Sequence, residues 1–220
     1  LLGVFEAGMA GLGVGSSALY QGDYGFYWTL KPNLSLAQVD HVEEGSTFSV
    51  QTSDLGLRDE ALPTGKPWIL ALGCSTTFGW GVEAAQAWPE QLQERLGLDV
   101  VNAGVPGHST HQGLTFAPPL LAKGPAVAIL GWGVRDAQKA PRPDTAAQPT
   151  PFPRNTHLHR WLRDLLPPAA SPATVRRVEP QTLVANLRQI VESAQASDVK
   201  LLLLDFPSRS PSEAHGAALN

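Results

Sequence analysis

Trp68-Ile69-Leu70-Ala71-Leu72-Gly73-Cys74-Ser75-Thr76-Thr77-Phe78-Gly79-Trp80-Gly81-Val82 opens as an uncharged apolar run and then turns small and hydroxyl-rich. The run from Trp68 to Leu72, closed by a turn signal, predicts a buried strand. Gly73 breaks it, and Gly79 and Gly81 permit close backbone approach or positive φ. A helix is expected to follow from about Trp88. Strand, tight turn and helix together raise a side-chain oxygen to the carboxyl end of a parallel sheet, where ligands bind. The first helical N–H groups point at the same spot and suit an anion. A serine there fits acyl transfer, and it equally fits an ordinary Ser/Thr helix cap.

Two later stretches bear on that choice. Residues 99–113 read Asp-Val-Val-Asn-Ala-Gly-Val-Pro-Gly-His-Ser-Thr-His-Gln-Gly, and residues 126–136 read Ala-Val-Ala-Ile-Leu-Gly-Trp-Gly-Val-Arg-Asp. Each is a short apolar strand running into a glycine-containing loop. With these three stretches, the chain resembles the SGNH (GDSL-like) hydrolases. Gly73-Cys74-Ser75-x-Thr77-x-Gly79 is similar to their first block, and Asn102-Ala103-Gly104-Val105-Pro106-Gly107-His108-Ser109-Thr110 to the second. Gly133-Val134-Arg135-Asp136 stands where the third block, Gly-x-Asn-Asp, belongs. The order and spacing of the three match over roughly residues 46–210.

The bounds agree with one α/β domain: 220 residues give room for a sizeable core. A net charge of −4, a pI near 5.8 and the lack of any basic run give no reason to expect a nucleic-acid partner. One cysteine rules out an internal disulfide and a cysteine-based zinc site. Residues 1–20 are small or apolar, with Glu6 their only charge. They read as the remnant of a membrane anchor or signal segment, too short and glycine-rich to span a bilayer alone. That reading puts an extracytoplasmic domain on a membrane; otherwise the chain is cytoplasmic.

Residues 21–67 are rich in turn formers, with a strand expected at Thr47–Thr52 and a turn at Asp54–Asp59. The spacing Phe48-x-x-x-Thr52-x-x-x-Gly56-x-Arg58-Asp59 is similar to the lead-in of related hydrolases, and Arg58 with Asp59 is expected to be a weak surface pair. The domain proper is expected at 68–220. Pro89 suits a first helical turn, Trp88, Leu92 and Leu96 share a face, and Gly97 stops the helix. Strands are expected near 99–102, 126–131 and 199–206. The helix after Gly107 is expected to be cut short by Pro118 and Pro119. Five prolines in 137–155 make a long loop, and 137–178 reads as a lid-like insertion with an amphipathic helix at 156–166. His157 and His159 at its start are expected to be solvated. The clearest helix is 180–196, opened by Pro180. Strands alternating with helices imply a parallel sheet. The resemblance implies a flavodoxin-like α/β/α sandwich with strand order 2-1-3-4, its last strand and helix beyond the given residues.

The resemblance also assigns roles. Ser75 would be the nucleophile, activated by a base. The backbone N–H groups of Ser75 and Gly107 would stabilise the oxyanion. The family's third donor is an asparagine, and Arg135 stands at that position. Its charged guanidinium would either enter the site or point away. Cys74 takes the place of the family aspartate, and a buried inert thiol is expected. Trp80 and Trp132 flank the turn and third block, placed to stack on substrate or simply to pack. The family base lies in a C-terminal Asp-x-x-His. Ser212-Glu213-Ala214-His215 lacks that aspartate, so His215 is a weak candidate, and a chain without the motif is expected to be inactive. The expected activity is hydrolysis of an O-acyl ester, acetyl above all, on a carbohydrate or lipid, with no cofactor and no metal. The alternatives are an O-acyltransferase on polysaccharide and a non-catalytic glycan-binding protein.

Overall fold

The computed structural model describes residues 18–23, 26–41, 45–58, 61–65, 67–149, 151, 156–165, 172 and 174–205. Residues 1–17, most of the anchor remnant expected at 1–20, and 206–220, with His215, lie outside them, as does Asp59. Among the described residues no helix is long and apolar enough to cross a membrane.

The lead-in holds four strands: β1 (Tyr20–Asp23), β2 (Tyr27–Leu30), β3 (Ser35–His41) and β4 (Ser46–Gln51). They pair as two antiparallel ribbons, β1 with β2 and β3 with β4. Only β4 was expected from sequence. In β2 the alternation is nonetheless present, since Trp28 and Leu30 are buried while Tyr27 and Thr29 are half-buried.

Next come β5 (Ile69–Gly73), the one-turn helix α1 (Ser75–Phe78), a 3₁₀ turn at Ala84–Gln86, α2 (Trp88–Leu96), β6 (Val100–Gly104) and α3 (Thr110–Leu121). After them follow β7 (Val127–Gly131), α4 (Gly133–Ala137), β8 (Lys139–Ala140), a 3₁₀ turn at Asp144–Ala146 and α5 (His157–Asp164). The last elements are β9 (Val175–Arg176), α6 (Pro180–Ala196) and β10 (Lys200–Leu203). The main sheet runs β6-β5-β7-β10, all parallel, which is the order 2-1-3-4 expected for these strands.

Alternation along β5 builds three layers. Leu70 and Leu72 face Phe116, Ala117 and Leu120 of α3 and Ile190 and Ala194 of α6. Ile69 and Ala71 face the other way, toward Trp88 and Leu92 of α2. The chain therefore forms an α/β/α sandwich. Trp28 and Leu57 of the lead-in enter the larger of the two cores, so the lead-in shares the domain's interior.

One expectation fails in α3, which runs through Pro118 and Pro119 to Leu121. A helix-interior proline costs about 3 kcal/mol. The turn it would end carries Leu120 and Leu121, both buried, and each buried leucine offsets about 1.5–3 kcal/mol. Ala122 N–H then reaches Pro118 O at 3.0 Å and closes the helix.

Candidate active site

Three glycines lie level at the carboxyl edge of the sheet: Gly73 of β5 is in register with Gly104 of β6 and Gly131 of β7. α1 rests directly on two of them. A Cβ on Gly73 would lie 2.0 Å from Thr77 Oγ1, and one on Gly104 would lie 2.2 Å from Phe78 N. The absence of side chains there lets the serine turn sit down on the strand ends. Cys74 is extended, with φ −100 and ψ −152, and Ser75 begins the helical turn. Its hydroxyl and its N–H meet no hydrogen-bond partner among the described residues, and the side chain is half-buried at the sheet edge. Cys74 is buried, with Sγ 3.3 Å from Thr76 Oγ1 and 3.8 Å from Gly131 O. Its thiol packs the turn from beneath.

The loop after β6 stays beside this turn because Val105 N–H donates to Gly73 O at 3.0 Å. Gly107 then takes φ +88, a conformation that glycine adopts without steric cost. Its carbonyl accepts from Arg177 Nη1 at 2.7 Å, and the preceding carbonyl, Pro106 O, accepts from Trp28 Nε1 at 3.1 Å. Gly107 is buried, and its N–H has no acceptor among the described residues.

Behind the loop lies a polar cluster that sequence reading missed. Arg177 binds Asp144 through Nε at 3.0 Å and Nη2 at 2.8 Å, a two-pronged buried ion pair. The Ser109 hydroxyl lies 2.6 Å from Asp144 Oδ2 and 2.8 Å from Gln112 Oε1, while Ser109 also caps α3. Beside it, Asp136 accepts from Thr110 N–H and from the Thr110 hydroxyl, and Asn186 Nδ2 donates to Thr110 Oγ1 at 3.0 Å. Burial raises the Asp136 pKa to about 7 against the opposing pull of the Thr110 hydrogen bonds. Next to Gly107, His108 is fully buried and donates from Nε2 to Trp28 O at 2.6 Å. Burial lowers its pKa to about 4, so it is neutral at pH 7 and its proton is already committed.

The other candidates are placed as follows. Arg135 is on α4, and its Nη1 donates to Gln138 Oε1 one turn along the chain. Trp80 packs edge-on against Phe48, with ring centroids 5.2 Å apart, and tilted against Phe78. Trp132 is buried against Gly113 of α3, where a Cβ would come within 3.0 Å of its ring. It also lines an apolar pocket with Leu130, Leu183, Leu187 and Leu203, at the carboxyl ends of β7 and β10. On α5, His157 is half-buried, and Trp161, Leu162 and Leu165 are exposed. Among the described residues no three His, Cys, Asp or Glu side chains are grouped to hold a metal ion.

Arg58 departs most from expectation. It is 2% exposed rather than a surface residue. Its guanidinium donates to the carbonyls of Phe78, Gly79 and Val82 at 2.6–2.7 Å and of Ser49 at 3.2 Å, and stacks over the Phe78 ring at 4.4 Å. It binds the carboxyl end of α1 to the lead-in. Its only sequence signal was a place in the lead-in pattern.

Several solved structures are similar to the chain. TesA matches with a TM-score of 0.45 and 26% identity, over 68% of this chain and 67% of that one. AlinE4, an SGNH-hydrolase family esterase, matches at 0.43 and 22%, over 66% and 62%. The psychrotrophic esterase EstA from Pseudoalteromonas sp. matches at 0.44 and 17%, over 70% and 67%. No curated protein matches the chain. The GDSL-like Lipase/Acylhydrolase family model matches residues 71–220, a span that contains the Ser75 turn, the Gly107 loop and the Arg135 segment. The chain therefore belongs to the GDSL-like lipase/acylhydrolase family and is an ester-hydrolysing serine hydrolase.

Proposed function

We propose that the protein removes an O-acyl group, acetyl in the first instance, from a carbohydrate or lipid ester, with Ser75 as nucleophile. The observation that carries this reading is the pairing of two neighbouring features. Among the described residues, the Ser75 hydroxyl and N–H have no partner at the end of β5, and the Gly107 N–H has none in the loop joined to that strand end by Val105. Two uncommitted backbone donors beside an uncommitted hydroxyl suit attack on a carbonyl. Ser75 Oγ adds to the ester carbon as its proton passes to a base. The carbonyl oxygen becomes an oxyanion facing the Ser75 and Gly107 N–H groups. The alcohol leaves with that proton, and water then releases the acid from the acyl-serine.

His108 is a poor base, because its ring is fully buried and that burial lowers its pKa to about 4. The base belongs to a C-terminal segment of the Asp-x-x-His kind, and His215 is the histidine among residues 206–220. Arg135 gives one N–H to Gln138 and keeps its permanent charge and its other N–H groups, which would add positive charge at the oxyanion where the guanidinium faces the site.

The test is hydrolysis of p-nitrophenyl acetate and of acetylated oligosaccharides by the full-length natural protein. Ser75→Ala should lower kcat by at least about 10³-fold, since nucleophile and base act as one unit. Equal turnover by wild type and Ser75→Ala would overturn the reading. His215→Ala separates the candidates for the base, because an unaffected rate places it elsewhere.

A further inference from the structure

We propose that Trp28, in the lead-in, is a positioning residue that aims the Gly107 N–H. The inference rests on the reading of that N–H as an oxyanion donor and extends it to a residue 78 positions upstream of Pro106. Pro106 C=O and Gly107 N–H belong to one planar trans peptide, so they point in opposite directions. The Trp28 indole N–H holds the carbonyl end of that plane at 3.1 Å. It thereby fixes the direction of the N–H at the other end, and a hydrogen bond to the carbonyl polarises that N–H further.

The indole is itself held in place. His108 Nε2–H donates to Trp28 O at 2.6 Å, and the two rings meet edge-on with centroids 5.2 Å apart. The following peptide is anchored separately, because Gly107 O accepts from Arg177, which Asp144 holds with two hydrogen bonds. Gly107 thus sits between two gripped peptide planes. The grip matters because a glycine at φ +88 has little conformational preference of its own. Without it, the donor would drift, and small misplacements in a catalytic constellation cost rate steeply.

The experiment replaces Trp28 in the full-length protein with 3-benzothienylalanine, which exchanges the indole N–H for sulfur and keeps the ring shape. Trp28→Phe serves as the genetically simple companion. Three readouts are taken: kcat and KM for p-nitrophenyl acetate, affinity for phenylboronic acid, whose serine adduct is a tetrahedral boronate anion that places a boron-bound oxygen where the oxyanion would sit, and the Gly107 amide resonance by ¹H–¹⁵N spectroscopy. The benzothienyl variant should lose about tenfold in kcat and a similar factor in boronate affinity, with KM and the melting temperature nearly unchanged. The Gly107 amide resonance should shift while that of Ser75 stays. Unchanged kcat and boronate affinity in an active enzyme would overturn the proposal, as would a drop in melting temperature with boronate affinity retained. If wild type proved no more active than Ser75→Ala, the esterase reading would fail by itself. The Gly107 resonance would then still decide whether Trp28 orients that peptide, an unmoved signal refuting it.

Discussion

Two buried titratable side chains within the site's supporting shell pull the pH dependence of stability in opposite directions. His108 has its pKa lowered to about 4 by burial. Below its ordinary value of 6.5 the unfolded chain takes up a proton that the folded chain refuses, so stability falls as pH drops from 6.5 to 4. Asp136 is raised to about 7 by burial. Here the folded chain keeps a proton that the unfolded chain loses above 3.8, so stability falls as pH rises from there to about 7. Each effect is on the order of 3 kcal/mol, and over their shared range the two largely offset. Chemical denaturation across this range should show the wild type losing stability relative to Asp136→Asn as pH rises. Relative to His108→Gln it should gain. Curves parallel to that of Asp136→Asn would mean that Asp136 ionises as an ordinary carboxylate.

The smallest helix carries the largest demand. α1 has four residues, and one turn is too short to hold itself together. Its form comes from neighbours: Gly73 and Gly104 beneath it, and Arg58 on its carboxyl end. Arg58 donates to the Phe78, Gly79 and Val82 carbonyls at and just past the helix end, where the other donors are longer, Asn102 Nδ2 to Phe78 O at 3.4 Å and Val82 N–H to Gly79 O at 3.3 Å. Arg58→Met keeps much of the side-chain volume and removes every one of these bonds. It should destabilise the fold by about 3 kcal/mol in urea, with the slope of the transition unchanged. Arg58→Lys should recover little, since an ammonium cannot reach four carbonyls spread around a planar fork. Retention of wild-type stability in Arg58→Met would show that the carbonyls find other donors.

At the scale of the molecule, three segments distant in sequence converge on the Gly107 loop. Trp28 comes from the lead-in, Gly73, which accepts from Val105 N–H, from β5, and Arg177 with Asp144 from the stretch between β7 and α6. Trp28 and Leu57 also lie in the same core as Leu70 and Leu130. Such shared burial favours one cooperative unit over a detachable lead-in. Tryptophan fluorescence and far-ultraviolet circular dichroism should report one coincident unfolding transition. Separate midpoints would show that the lead-in unfolds by itself.

Local pattern was enough for the four core strands, their flanking helices and the position of Ser75. An apolar run ending in glycine and hydroxyl residues predicts strand and turn from neighbours alone. The three-block resemblance supplied strand order and pointed to Gly107. What local pattern does not carry is the partner of a polar side chain. Arg58 looked like surface because charge near a turn usually is, yet four backbone carbonyls from residues 49–82 compensate its burial. Trp28, Asp144 and Arg177 were silent for the same reason, since their hydrogen bonds span from 33 to 78 positions. Pro118 and Pro119 misled in the opposite sense, because burial of the next two leucines outweighs the local penalty. The chain's own order of residues thus determined where the Ser75 turn lies. Only tertiary packing decided which side chains hold that turn and its neighbouring loop in place, because those contacts acquire their energy from burial and pairing that exist only once distant segments have met.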